Sequence, residues 1–385
     1  MRVQTSKLKL FASTFLELRF FLSAFIVLLA GDQIRAASPL SPADFGPRAR
    51  VVVAKDPEAL EAFKPNQERI QLMVNRAITN LTERATVREA WRSLVSTQDV
   101  VGIKVYSVPG LKSGTRPAVV AAVVQGLLSA GLPPRHIVIW DKQAADLKQA
   151  GFFDLGKAYG VRVAGSAQAD YDDKAFYDAA LLGNLVWGDH EFGKEGPGIG
   201  RKSFVSKLLT RDITKIINIS PLLNHNLAGV SGNLYSLAMG SVDNIVRFES
   251  GPERLATAVP DIYNLPALGD RVVLSITDAL ICQYEGGERG LLHYSAVLNE
   301  LRFSKDPVAL DVLSLQDLDR ERKASGGPVE KQNLELYENA SLIRLGVSDV
   351  KKIRIEKVLP LPMGEGRSEG DRSVQQPGSQ ETLRN

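Results

Sequence analysis

The chain has 385 residues, 44% of them hydrophobic, enough to bury at least one large core and to exclude disorder throughout. Its formal net charge of +3 resides in the first 37 residues, where Arg2, Lys7, Lys9, Arg19 and Arg35 face Glu17 and Asp32; the remainder balances 42 basic against 42 acidic residues, so no nucleic-acid partner is expected. The single cysteine, Cys282, excludes an intramolecular disulfide and a cluster held by four thiolates, and reads as a small buried hydrophobe.

Residues 1–37 have a basic start, the apolar run Phe20 to Ala30 and then Ala36 and Ala37, the layout of a secretory signal. Export to the periplasm or the exterior is therefore expected, with the leader either cleaved or kept as an anchor. The run is shorter than the roughly 20 residues that span a bilayer, so any membrane contact is expected through this segment alone. Asp32 stands where a lipidated cysteine would be required.

After a Pro- and Ser-rich linker, 38–47, Arg50 to Ala54 reads as the first strand of one large domain ending near Val358. The apolar spacing Ile70, Met73, Val74, Ala77, Ile78 and Leu81 predicts a helix over 67–81 that packs on a sheet. Val100 to Val105 is a second strand, too apolar for a surface. Thr115 as N-cap and Pro117 in the first turn open a helix through Ala130, which Gly131 closes. His136 to Asp141 is the next strand, and strand, helix, strand at this spacing makes a right-handed βαβ unit and hence a parallel sheet. Further strands are expected at Val161 to Ala164, Lys215 to Ile219, Arg271 to Thr277 and Lys352 to Val358. The fold class is thus α/β, a mostly parallel sheet with helices on both faces. A long polar excursion from Ser166 to Asp212 reads as a cover insertion, and the stretch from Leu359 as a disordered tail.

In open α/β sheets ligands bind beyond the carboxyl ends of the strands, so the polar residues that follow each apolar run are the candidates. They are Lys104 in the second strand, Asp141 ending the third, Asn224 and His225 after the central run, and Asp278 after Ser275-Ile276-Thr277. Alternating sidedness can turn any of them away. A lysine in an apolar strand is costly to bury alone, so Lys104 meets either an anionic ligand or a carboxylate, Asp141 or Asp278. Arg116 at a helix start is either an anion cradle or an exposed arginine. His225 either exchanges a proton, oriented by Asp278, or bonds the local backbone of a turn. Asp306 caps the helix that Pro307 opens, whereas Asp311, inside the apolar run Val308 to Leu315, is a further ligand-binding candidate. Asn218, Ser220, Asn224, His225 and Asn226 crowd one strand exit and read as the floor of a site. His136, His190 and His293 lack metal-ligand spacing, so no metal site is expected, and with no Walker or dinucleotide glycine fingerprint no cofactor is named.

The blocks VGIKVYSVPG, TRPAVVAAVVQGLLSAG, IINISPLLNHNLAGVSGNLYSLAMG, ITDAL with EGGERG, and SKDPVALDVLS, in this order, resemble the family known as domain of unknown function 362, over about Val100 to Val358. The resemblance implies family membership without an assigned reaction. Some members are described as iron–sulfur-centre proteins, a label that does not transfer to a chain without the cysteines. The family pattern has Lys–Thr–His where this chain has Leu223-Asn224-His225, a Lys–Asn pair where it has Tyr235-Ser236, and an Asp–Gly where it has Asp278-Ala279, so the histidine is kept and two lysines of the pattern are absent. The expectation is an exported protein that binds a small anionic or polar ligand at the strand ends. Lys104, Arg116, Asp141, Asn224 and Asp311 would make the contacts, and His225 with Asp278 would supply acid/base chemistry; the alternative is a non-catalytic binding or assembly factor.

Overall fold

A computed structural model describes residues 48–327 and 334–358. The leader, the linker and the C-terminal tail fall outside the described residues. The chain enters as β1 (Ala49–Lys55) and then α1 (Gln67–Thr82), whose N-cap Asn66 accepts from the Arg69 amide and whose six periodic apolar residues are all buried. Between them Leu60–Glu61 and Lys64–Pro65 pair as a small hairpin. β2 (Val101–Val105), α2 (Pro117–Ser129), β3 (Ile137–Asp141) and β4 (Arg162–Gly165) follow as parallel strands and crossovers.

The central strand is β5 (Lys215–His225), which turns back into the short β6 (Gly229–Val230) and leads into α3 (Asn233–Ser241). α4 (Pro252–Tyr263), β7 (Val272–Gln283), β8 (Ser295–Ser304), α5 (Pro307–Ala324), α6 (Glu335–Leu342) and β9 (Ile353–Val358) complete the described chain. The sheet runs β9-β1-β8-β7-β5-β2-β3-β4, with β6 on β5. β8 is antiparallel to both neighbours, while β9–β1, β7–β5, β5–β2, β2–β3 and β3–β4 are parallel.

Side-chain alternation divides the core between the two faces. Ile103, Ile217, Ile219, Ile276 and Phe303 meet α1 and α2 on one face, whereas Trp140, Ile216 and Leu222 meet α3, α4 and α5 on the other. Among the described residues no helix is long and apolar enough to cross a membrane.

Four expectations change. β5 extends to His225 rather than stopping at Ile219, although Pro221 cannot donate to a ladder; β7 bulges beside it, stepping from Asp278 opposite Pro221 to Gln283 opposite Leu223. β7 likewise runs on to Gln283, so Asp278 lies within a strand and not at its end. The excursion after β4 is partly regular, with Tyr171–Asp178 paired to Lys202–Ser206. The N-cap of α2 is Arg116, because the Thr115 hydroxyl is spent on the Ile219 carbonyl and the Tyr106 amide. β8 was not legible: its first half is half-exposed, and Asn299 at φ 54° interrupts the alternation.

Candidate functional site

Lys104 projects from β2 beneath α3 and is 0% exposed. Its ammonium donates to Asp141 Oδ1 at 2.8 Å, to the Val105 carbonyl at 2.6 Å and to Ser236 Oγ at 2.9 Å, which uses all three donors. Asp141 also accepts from the Lys142 amide on Oδ1, and from the Ser107 amide and hydroxyl on Oδ2. Burial pushes Lys104 down and Asp141 opposes it. Of the alternatives open for Lys104, pairing with Asp141 is the one formed. Gly240 makes room for it: a Cβ there would lie 2.4 Å from Lys104 Cε.

Arg116 and Asp278 make the second buried pair, Nη1 to Oδ1 at 2.9 Å, with the Arg116 amide on Oδ2 at 3.0 Å. The β7 bulge that starts at Asp278 opens the sheet toward the first turn of α2. Asp278 is therefore committed to Arg116, and the expectation that it orients His225 is replaced by this contact.

His225 ends β5. Its Nδ1 accepts from the amides of Leu227 and Ala228, at 3.3 and 3.0 Å, so the neutral ring carries its proton on Nε2. Burial lowers it to about 4. The geometry makes it a turn-holding side chain whose other ring nitrogen is a donor. Its ring packs 4.2 Å from that of Tyr235, which bonds Glu249, while Tyr106 bonds Glu288. Asn224 accepts from the Gly287 amide at 2.8 Å and ties this turn to the loop after β7.

Asp311 belongs to another place. From α5 it accepts the Asn233 amide at 2.6 Å and the Leu234 amide at 2.9 Å, capping the wholly buried α3, whose own N-cap is Gly232. Burial nevertheless pushes it up to about 7. Asn218 and Ser220 face the same helix start, donating to the carbonyls of Asn233 and Gly232. Of the polar crowd on β5, Asn218 and Ser220 thus seat a helix, while Asn224 and His225 hold the turn that follows.

Open space lies beside Arg116. A cleft of about 460 Å³ is lined by Phe63, Lys64, Leu111, Lys112, Arg116 and Leu292, with the start of α2 at one side. Its described lining holds three cations and no carboxylate. Ser113, next to Lys112, donates to Gln283, which donates to the Gly287 carbonyl, so hydrogen bonds connect the cleft loop to the His225 turn. Sequence reasoning found Arg116 but missed Lys64 and Lys112, because exposed lysines in polar turns carry no signal of their own. Tyr106 and Tyr235 were missed as well, being ordinary core types in apolar runs, and so was Gln283, a polar residue at the end of one. Among the described residues no group of three or more His, Cys, Asp or Glu is placed to hold a metal ion.

A family model described as Domain of unknown function (DUF362) matches residues 101–316, more than half of the chain. The chain belongs to this family. The DUF362 match is shorter than the resemblance over 100–358 and runs from β2 into α5, so it contains Lys104, Arg116, Asp141, Asn224, His225, Asp278 and Asp311 but not Lys64. No curated protein matches. Among solved structures, a structural-genomics crystal structure of a Thermotoga maritima protein is similar at 13% identity, over 69% of this chain and 60% of that one, with a TM-score of 0.36. The DUF362 chain here therefore spans about 60% of that protein.

Proposed function

We propose that this protein binds a small anionic ligand in the cleft beside Arg116, at the carboxyl ends of the parallel strands. The observation that carries the reading is the lining itself. Lys64 and Lys112 stand at the rim and Arg116, pinned by Asp278, stands nearly buried at the floor, with no lining acid to cancel the rim charges. A preformed arginine loses little freedom on binding, and the first turn of a thirteen-residue helix adds a favourable dipole. Phe63, Leu111 and Leu292 offer apolar contact, which suits a carboxylate or phosphate on a short apolar body.

Binding without turnover has its own support. Lys104, Asp141 and Asp278 are engaged in the two buried pairs, and His225 presents a donor and no free base. Placement outside the cytoplasm belongs to the same proposal, and rests on the basic and apolar leader of residues 1–37.

The test is calorimetric titration of the purified protein with short-chain carboxylates and organic phosphates. A binding anion should lose at least tenfold in affinity in Lys64→Glu/Lys112→Glu, two exposed positions whose replacement leaves the melting temperature unchanged. Equal affinity in the variant would remove the cleft from consideration.

A further inference from the structure

A larger cavity, about 970 Å³, lies toward the β9 edge of the sheet, where β1 starts, β8 ends and β9 starts. Except for Ser304, Lys305 and Asp306, its lining comes from outside the family match over residues 101–316. Its cations include Lys305, Arg344 and Lys352, none of which makes an ion pair with a described carboxylate, while Arg50 is committed to Glu83 and Glu356. The two lining acids are held by backbone amides: Asp306 accepts from Ala309 and Val347, and Asp349 from Lys351. Beside the cations, Leu345 and Val347 line the wall, Leu342 is 79% exposed and its neighbour Ile343 is 38% exposed.

A basic groove with bare leucine at its lip has the composition of a surface that meets anionic lipid. Its position in the chain selects that occupant. Arg48, at the groove's rim, is the first described residue, and the apolar run Phe20 to Ala30 ends 18 residues before it, a reach of at most about 60 Å at 3.3–3.6 Å per residue. Any membrane insertion of that run therefore holds the groove, whose lining begins at Arg48, within that reach of the bilayer.

We propose that this groove binds anionic phospholipid, with the headgroup phosphate on Lys305, Arg344 and Lys352 and the acyl region against Leu342. The proposal is independent of the cleft reading, since it uses none of its residues.

Co-sedimentation of the full chain with vesicles tests it, comparing phosphatidylcholine alone with phosphatidylcholine containing phosphatidylglycerol. The leader is common to every protein compared, so its contribution cancels in the ratio of wild type to variant. One surface cation is worth about fivefold in partitioning near an anionic bilayer. Lys305→Glu/Arg344→Glu should therefore weaken binding to the phosphatidylglycerol vesicles at least tenfold and flatten its salt dependence. Leu342→Ser should weaken it with the salt dependence unchanged. Circular dichroism checks the fold, and Lys305→Gln/Arg344→Gln replaces the charge reversal if that protein unfolds. Equal partitioning of wild type and variant overturns the proposal. So does stabilisation by inorganic phosphate without preference for the anionic vesicles, which would identify a free-phosphate site.

Discussion

Replacing Lys104 by methionine keeps most of the apolar stem and deletes the ammonium that neutralises Asp141. Both side chains are buried, at 0% and 4% exposure, and 2.8 Å apart, so neither water nor salt can take the missing partner's place. Breaking a buried pair from one side costs about 3–5 kcal/mol. Asp141 would retain the Ser107 amide and hydroxyl and the Lys142 amide, which puts Lys104→Met near the lower end, about 3 kcal/mol. Asp141→Asn strands the ammonium on the Val105 carbonyl and Ser236 and should cost a similar amount. The double variant removes both charges together, so it should fall short of the sum by about 2 kcal/mol. Urea unfolding followed by tryptophan fluorescence is the assay, because Lys104 Nζ lies 5.6 Å from the Trp140 ring centroid. Single variants costing under about 1 kcal/mol, or adding to within about 0.5 kcal/mol, would refute the coupling.

Two further outcomes follow from the same physics. His225 should titrate by NMR near 4, because burial lowers it from 6.5. The unfolded chain takes up that proton first, so stability falls as pH drops from 6.5 to 4, by at most about 3 kcal/mol and less for a part-exposed ring. His225→Asn, whose side-chain oxygen can still accept from the turn amides, should remove that slope, and an unchanged slope would show that the ring is not its source. Asp311→Ala leaves the buried Asn233 and Leu234 amides without an acceptor and should cost about 3 kcal/mol in urea unfolding. Gly232→Ala should destabilise comparably, since its Cβ would sit 2.2 Å from Asp311 Oδ1. Wild-type stability in either protein would mean that α3 is not capped from α5.

The sequence by itself determined the class of fold, because periodicity and punctuation are local. The spacing of Ile70 to Leu81 could only be an amphipathic helix, and Pro117 with Gly131 bounded the next one. Apolar runs at Val101–Val105 and Ile137–Asp141 required a sheet covered on both faces. The ordered blocks also sufficed to place the chain in its family.

Only the tertiary structure decided what the polar residues do, because a carboxylate's role depends on its neighbour and the neighbours are remote in sequence. Asp278 and Arg116 are 162 positions apart, and Asp311 reaches a helix 77 and 78 positions earlier. Residues that read as one site therefore separate into two buried ion pairs, a capped helix and a turn. The open, uncompensated charge lies elsewhere, on exposed lysines at Lys64 and Lys112 and around Lys305 and Arg344. An exposed lysine has no periodicity to betray it, and its significance comes only from the cleft that the fold builds around it.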